Sequence, residues 1–226
     1  MIGRVLLIVM LLTGPAASQT CRLALQLALD ISSSVDPREY GLQMEGTARA
    51  LEDPEIRAAF LVEPTVYLTV WEWSGQRQQM MIVDWVPIQT AFDLDRVAQR
   101  MRGHRRTTNR EPTALGSALA FGIRHFANGP ADCEARAIDV SGDGESNDGF
   151  PPSSAYRAYD WTNVAVNALV IGGDRHPSLT AYFQTEVIRG PQAFVEVAAG
   201  YGDYERAIRR KLLRELQPTF LIGQNR

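Results

Sequence analysis

Five oxygen-bearing side chains stand where a hard divalent cation could use them. Asp30, Ser32 and Ser34 alternate in Asp30-Ile31-Ser32-Ser33-Ser34, Thr113 opens a later apolar run, and Asp143 lies in Ser141-Gly142-Asp143-Gly144-Glu145-Ser146-Asn147. Mg²⁺ takes oxygen ligands in near-octahedral array and keeps some of its waters. Three hydroxyls and two carboxylates meet that need, and the two acids offset the charge of the ion. One coordination position stays free for an acidic group of another molecule. Neither imidazole nor thiolate belongs to the set, which argues against zinc or copper. Mg²⁺ is therefore expected, with Mn²⁺ or Ca²⁺ as substitutes.

These residues need elements that carry them to one place. Leu23 to Ile31 is an almost unbroken apolar run, the pattern of a strand buried on both faces. Asp36-Pro37-Arg38-Glu39 then reads as an N-cap, a first-turn proline and a capping box, followed by Tyr40, Met44, Thr47, Ala48 and Leu51 at helical spacing. Thr65 to Ser74 and Gln78 to Ile88 are β-rich and read as an antiparallel hairpin. Leu94, Val97, Ala98 and Met101 mark a second helix, and Leu115, Ala118, Leu119, Gly122, Ile123 and Phe126 a third. Strands over Ala135 to Ser141, Val164 to Ile171 and Ala193 to Ala198 alternate with helices near Ser153 to Tyr159 and over Ser178 to Ile188. A last helix, lined by Tyr204, Ile208, Leu212 and Leu216, stops at Pro218. Such alternation predicts an α/β fold with a mostly parallel sheet and helices on both faces. In that architecture ligands bind beyond the carboxyl ends of the strands, where Asp30 and Asp143 fall.

The chain has 226 residues, 45% apolar and 22% charged, enough for a sizeable core. A formal charge of -3 gives no basic footprint for nucleic acid. Arg4, the apolar stretch Val5 to Leu12 and the small residues Ala16-Ala17-Ser18 describe a secretory signal peptide. Residues 1–18 are expected to be removed, leaving 19–226 as one exported domain, periplasmic or extracellular, with no segment that spans a membrane. In an oxidising compartment the two cysteines, Cys21 and Cys133, are expected to form one disulfide. Lys211 is the only lysine, and we attribute that to genomic codon usage.

The order Asp30-x-Ser32-x-Ser34, Thr113, Asp143-Gly144 resembles the metal-ion-dependent adhesion site (MIDAS) of von Willebrand factor type A domains, over about residues 23 to 216. The resemblance implies a Rossmann-like, doubly wound six-stranded sheet of order 3-2-1-4-5-6 with strand three antiparallel. It also implies a protein-binding module in which a partner's Asp or Glu completes the metal shell. The chain departs from the family at Gly142, where a Thr or Ser usually precedes the last aspartate. The implied strand order makes strands one and four neighbours and sets Cys21 and Cys133 together at the rim opposite the site.

Other features carry less. Asp143 to Gly149 lacks the spacing of a calcium loop, and Asn147 is expected to brace it. Arg100, Arg102, His104, Arg105, Arg106 and Arg110 read as a solvated basic loop or a guide for an acidic partner. His104, His125 and His176 show no ligand spacing, and Trp71 and Trp73 share one strand face, as core residues do. A metal-dependent hydrolase is the competing activity, but there is no Gly-x-Ser-x-Gly elbow. A structural domain with an empty site is the third reading. A dinucleotide enzyme is excluded, since no glycine lies between Asp30 and Asp36.

Overall fold

The computed structural model describes residues 21–217. The expected signal peptide and Pro218 lie outside the described residues. The elements run β1 (Cys21–Asp30), α1 (Pro37–Glu52), α2 (Pro54–Phe60), β2 (Thr65–Trp73), β3 (Gln79–Ile88), α3 (Ala91–Gly103), α4 (Leu115–His125), β4 (Cys133–Gly142), α5 (Pro152–Ala158), β5 (Val164–Ile171), α6 (Pro177–Tyr182), β6 (Val195–Ala198) and α7 (Tyr204–Glu215). Six strands form one sheet in the order β3-β2-β1-β4-β5-β6. All neighbours are parallel except β2 and β3. The expected topology is the one found.

Strand alternation divides the core into two layers. Leu23, Leu25, Leu27 and Leu29 of β1 face α1, α3 and α7, while Ala24 and Ala28 face α4 with Trp71 and Trp73. Each such leucine contributes roughly 1.5–3 kcal/mol on burial. Small residues on the second face let α4 lie close to the sheet. Trp71 and Trp73 are fully buried, as core residues.

Local chemistry starts the helices as expected. Asp36 accepts from the Glu39 N–H at 2.8 Å while the Glu39 carboxylate accepts from the Asp36 N–H at 2.9 Å. Asp53-Pro54 repeats the same signal: Asp53 accepts from the N–H groups of Glu55 and Ile56, and this starts α2, a helix the apolar spacing alone did not reveal. The helix expected over Ser178 to Ile188 divides into α6 and a π turn at Phe183–Val187. Phe183 and Val187, on this turn, are both fully buried against the sheet. Cys21 and Cys133 lie directly opposite one another on β1 and β4 and are disulfide-bonded.

A glycine fixes how closely α4 meets the loop after β4. A methyl group on Gly116 would sit 2.0 Å from the Phe150 carbonyl oxygen, a backbone atom that must then move. Gly116→Ala is expected to destabilise the protein by about 1–3 kcal/mol, read by urea denaturation. An unchanged midpoint would show that the loop yields freely.

Candidate metal centre

The carboxyl ends of β1 and β4 bring Asp30 and Asp143 to one edge. Asp30 is fully buried. Its Oδ1 accepts from the Ser32 N–H at 2.7 Å, whereas its Oδ2 is buried without a hydrogen-bond partner among the described residues. Ser34 donates to Asp143 Oδ1 at 2.7 Å, and the Ser32 and Ser34 hydroxyls lie 3.1 Å apart. Asp143 Oδ2 accepts from the Tyr201 hydroxyl at 3.3 Å. Thus Asp30, Ser32, Ser34 and Asp143 form one continuous polar cluster.

Thr113 enters through the loop after β4. Its N–H donates to Asn147 Oδ1 at 2.9 Å, and its carbonyl accepts from the N–H groups of Asn147 and Asp148 and from the Ser146 hydroxyl. Asn147 braces the two loops, as expected. No hydrogen bond joins the Thr113 hydroxyl to the cluster, so the structure brings Thr113 alongside, buried, without linking it directly.

Gly142, the departure from the family pattern, stands in a tight place. A methyl group there would lie 3.3 Å from both Asp30 Oδ2 and the Phe183 ring. The hydroxyl one residue earlier, on Ser141, turns away and reaches the Ala28 carbonyl at 3.3 Å and Gln43 Oε1 at 3.4 Å. Gln43 in turn donates to the Asp30 carbonyl at 3.0 Å. The end of β1 is therefore held from α1, through a glutamine that carries no motif signal.

Burial first, and then the charge of Asp143, push the Asp30 carboxyl up to about 7, against the Ser32 hydrogen bonds and the more distant Arg106. Burial and both aspartates likewise raise the Tyr201 hydroxyl. Two acids thus share a site, and one of their oxygens is buried without a partner among the described residues. Among the described residues no group of three or more His, Cys, Asp or Glu side chains converges as a metal cage. A site here has to draw on hydroxyl oxygens as well as carboxylates, and that is the donor chemistry of Mg²⁺. The residues present fit a hard cation.

The basic run is not a uniformly solvated loop. Arg102 pairs with Glu45 at 2.9 Å and Glu52 at 2.5 Å, and His104 lies 3.2 Å from the buried Glu72. Arg106 donates to the carbonyls of Val35, Ile31 and Ser32 at 2.7, 2.8 and 2.9 Å. Arg100, Arg105 and Arg110 stay exposed, with no ion pair among the described residues. His125 is buried beside Trp85, away from any ligand role.

Sheet order, strand directions and flanking helices define an α/β fold of the von Willebrand factor type A kind. Proximal thread matrix protein 1 from the mussel byssus superposes with a TM-score of 0.61 at 15% identity, over 86% of this chain and 48% of that one. The pilus adhesin SpaC from Lactobacillus rhamnosus GG gives 0.60 at 12% identity, over 88% and 31%. A von Willebrand factor type A protein from Catenulispora acidiphila gives 0.57 at 13%, over 87% and 43%. This chain spans about half the length of these proteins or less. The chain belongs to the family described as proteins of unknown function (DUF1194), whose profile matches residues 20–220. No curated protein matches it in sequence. The mussel protein also has a structure with a zinc-occupied MIDAS motif.

Proposed function

We propose that residues 19–226 form one exported protein-binding domain, released from a signal peptide at 1–18, that coordinates a divalent cation through Asp30, Ser32, Ser34, Thr113 and Asp143. The observation that carries this reading is the buried, unpartnered Asp30 Oδ2 beside a second carboxylate and two hydroxyls. A buried polar atom without a partner is costly and calls for an explanation; a hard cation supplies one. Asp30 and Asp143 offset the ionic charge, the hydroxyls add neutral oxygens, and Tyr201 steadies Asp143. When bound, the ion offers an open position to an anionic oxygen, which a partner's Asp or Glu would fill. Export is supported by the disulfide, and no described helix is long and apolar enough to cross a membrane. Among the structural relatives, a byssus matrix protein and a pilus adhesin support binding over catalysis.

The test is calorimetric titration of Mg²⁺, Mn²⁺, Ca²⁺ and Zn²⁺ into chelator-stripped mature protein and its Asp30→Ala variant. Saturable binding by the wild type and none by the variant is expected. Equal binding by both, or by neither, overturns the assignment. Hydrolysis of phosphate or acyl esters that disappears in Asp30→Ala would instead establish the hydrolase.

A further inference from the structure

The loop after β1 folds around a guanidinium. Ile31, Ser32 and Val35 all direct their carbonyls to Arg106, and within the loop the Val35 N–H donates to the Ser32 carbonyl at 3.0 Å. With its carbonyls turned inward, the loop presents the Ser32 and Ser34 hydroxyls toward Asp143. The segment that carries Arg106 makes a second link, because the Glu111 carbonyl accepts from the Ser33 N–H at 2.8 Å. Two residues further on stands Thr113. One stretch of chain, 104–113, therefore braces the first hydroxyl loop and delivers the third hydroxyl.

That stretch is anchored in turn. Glu72, near the end of β2, is buried and accepts from the Thr107 N–H at 3.0 Å and the Thr107 hydroxyl at 2.6 Å through Oε1. Its Oε2 accepts from the Tyr40 hydroxyl at 3.3 Å, and His104 Nε2 lies 3.2 Å away. Arg106 also lies over the Tyr40 ring, its guanidinium carbon 5.6 Å from the centroid. A buried carboxylate held by the residue next to Arg106 fixes where the guanidinium sits.

We infer that Arg106, seated by Glu72 and Thr107, is a positioning residue that sets the geometry of the Ser32 and Ser34 hydroxyls and with it the affinity and selectivity of the cation site. This rests on the metal reading proposed above. The physical ground is that groups behind the ligands fix ligand orientation, and their loss typically lowers metal affinity about 10- to 100-fold. A planar fork that serves three carbonyls has no equivalent in an ammonium, so lysine replaces it only in part. A loosened cage also penalises Mg²⁺, which demands near-ideal octahedral geometry, more than Ca²⁺, which tolerates irregular shells.

The experiment titrates Mg²⁺ and Ca²⁺ separately into chelator-stripped wild type, Arg106→Gln, Arg106→Lys, Thr107→Val and, as an exposed neighbour on the same loop, Arg105→Gln. Arg106→Gln is expected to weaken Mg²⁺ binding about 10- to 100-fold and Ca²⁺ binding less, so the Mg²⁺/Ca²⁺ preference falls. Arg106→Lys and Thr107→Val are expected to fall between it and wild type, and Arg105→Gln to match wild type. A fold merely weakened would lower the melting temperature in chelator without moving the ratio of the two ions. Wild-type binding with unchanged ratios in the Arg106 and Thr107 variants overturns this inference and leaves the metal site standing. No binding by the wild type overturns both. Should Arg106→Gln fail to fold, Arg106→Lys and Thr107→Val carry the same comparison.

Discussion

Cys21→Ser together with Cys133→Ser is expected to lower the unfolding free energy by about 4–5 kcal/mol. The bond closes a loop across a sequence separation of 112, and in the chain-entropy model the open chain regains that loop's freedom when the bond is lost. For a chain of this size the melting temperature should fall by roughly 10–20 °C. The two cysteines sit at the opposite ends of β1 and β4 from Asp30 and Asp143, about 30 Å away at the usual rise per strand residue. Below its melting temperature the variant should therefore bind cations as the wild type does. Thermal melts with and without reductant, beside calorimetry at a temperature where both proteins are folded, check the two halves separately. A drop below about 1 kcal/mol would show that the unfolded chain keeps β1 and β4 together without the bond.

Lys211→Met is the second large effect, about 3–5 kcal/mol. The Lys211 ammonium is fully buried, 2.6 Å from Asp139 Oδ1 and 2.8 Å from Glu215 Oε1. The Asp139 contact is a buried ion pair. Asn167 adds a donated hydrogen bond to Glu215 at 2.8 Å. Removing the ammonium leaves two buried carboxyl groups facing each other, which can both ionise only against like-charge repulsion in low dielectric.

The same cluster sets a pH dependence. Burial, and then the charge of Glu215, raise the Asp139 carboxyl to about 8, with Lys211 acting in the opposite sense. A folded-state value above the unfolded one means that Asp139 contributes stability below about pH 4, and that this contribution is lost as pH rises through about 8. Without Lys211 the opposing influence is gone, so Asp139 holds its proton to still higher pH. The deficit of Lys211→Met should then be smallest near pH 5 and largest above pH 8, read from urea midpoints across that range. An equal deficit at both ends would mean that the cluster's charges do not govern its stability.

These residues also show how far a sequence can be read. β1 was legible because a run with seven apolar residues of nine, Leu23 to Ile31, has only one comfortable home, and α1 because Asp36, Pro37 and Glu39 satisfy its first turn locally. The hairpin of β2 and β3 followed from two β-rich runs and a short turn. Asp30, Ser32, Ser34 and Asp143 were legible as a set because hydroxyls and carboxylates lacked any apolar or capping duty. The Cys21–Cys133 bond followed from export chemistry and the strand order that the family resemblance implied. Each of these rests on interactions within a few residues or on a periodicity, information that a linear string contains.

Only the tertiary structure decided the rest. Arg106 looks like one more residue of a basic run until the chain brings Ile31, Ser32 and Val35 to it across more than seventy positions. Gln43, Glu72 and Tyr201 hold the site from other elements, and no local spacing announces them. Gly142 is a departure from a motif in the string, and only in space does it come close to Asp30 and Phe183. Lys211 gains its role only once folding brings it to Asp139. Packing distances and burial arise between segments remote in sequence, so the support of the site becomes visible only when those segments meet.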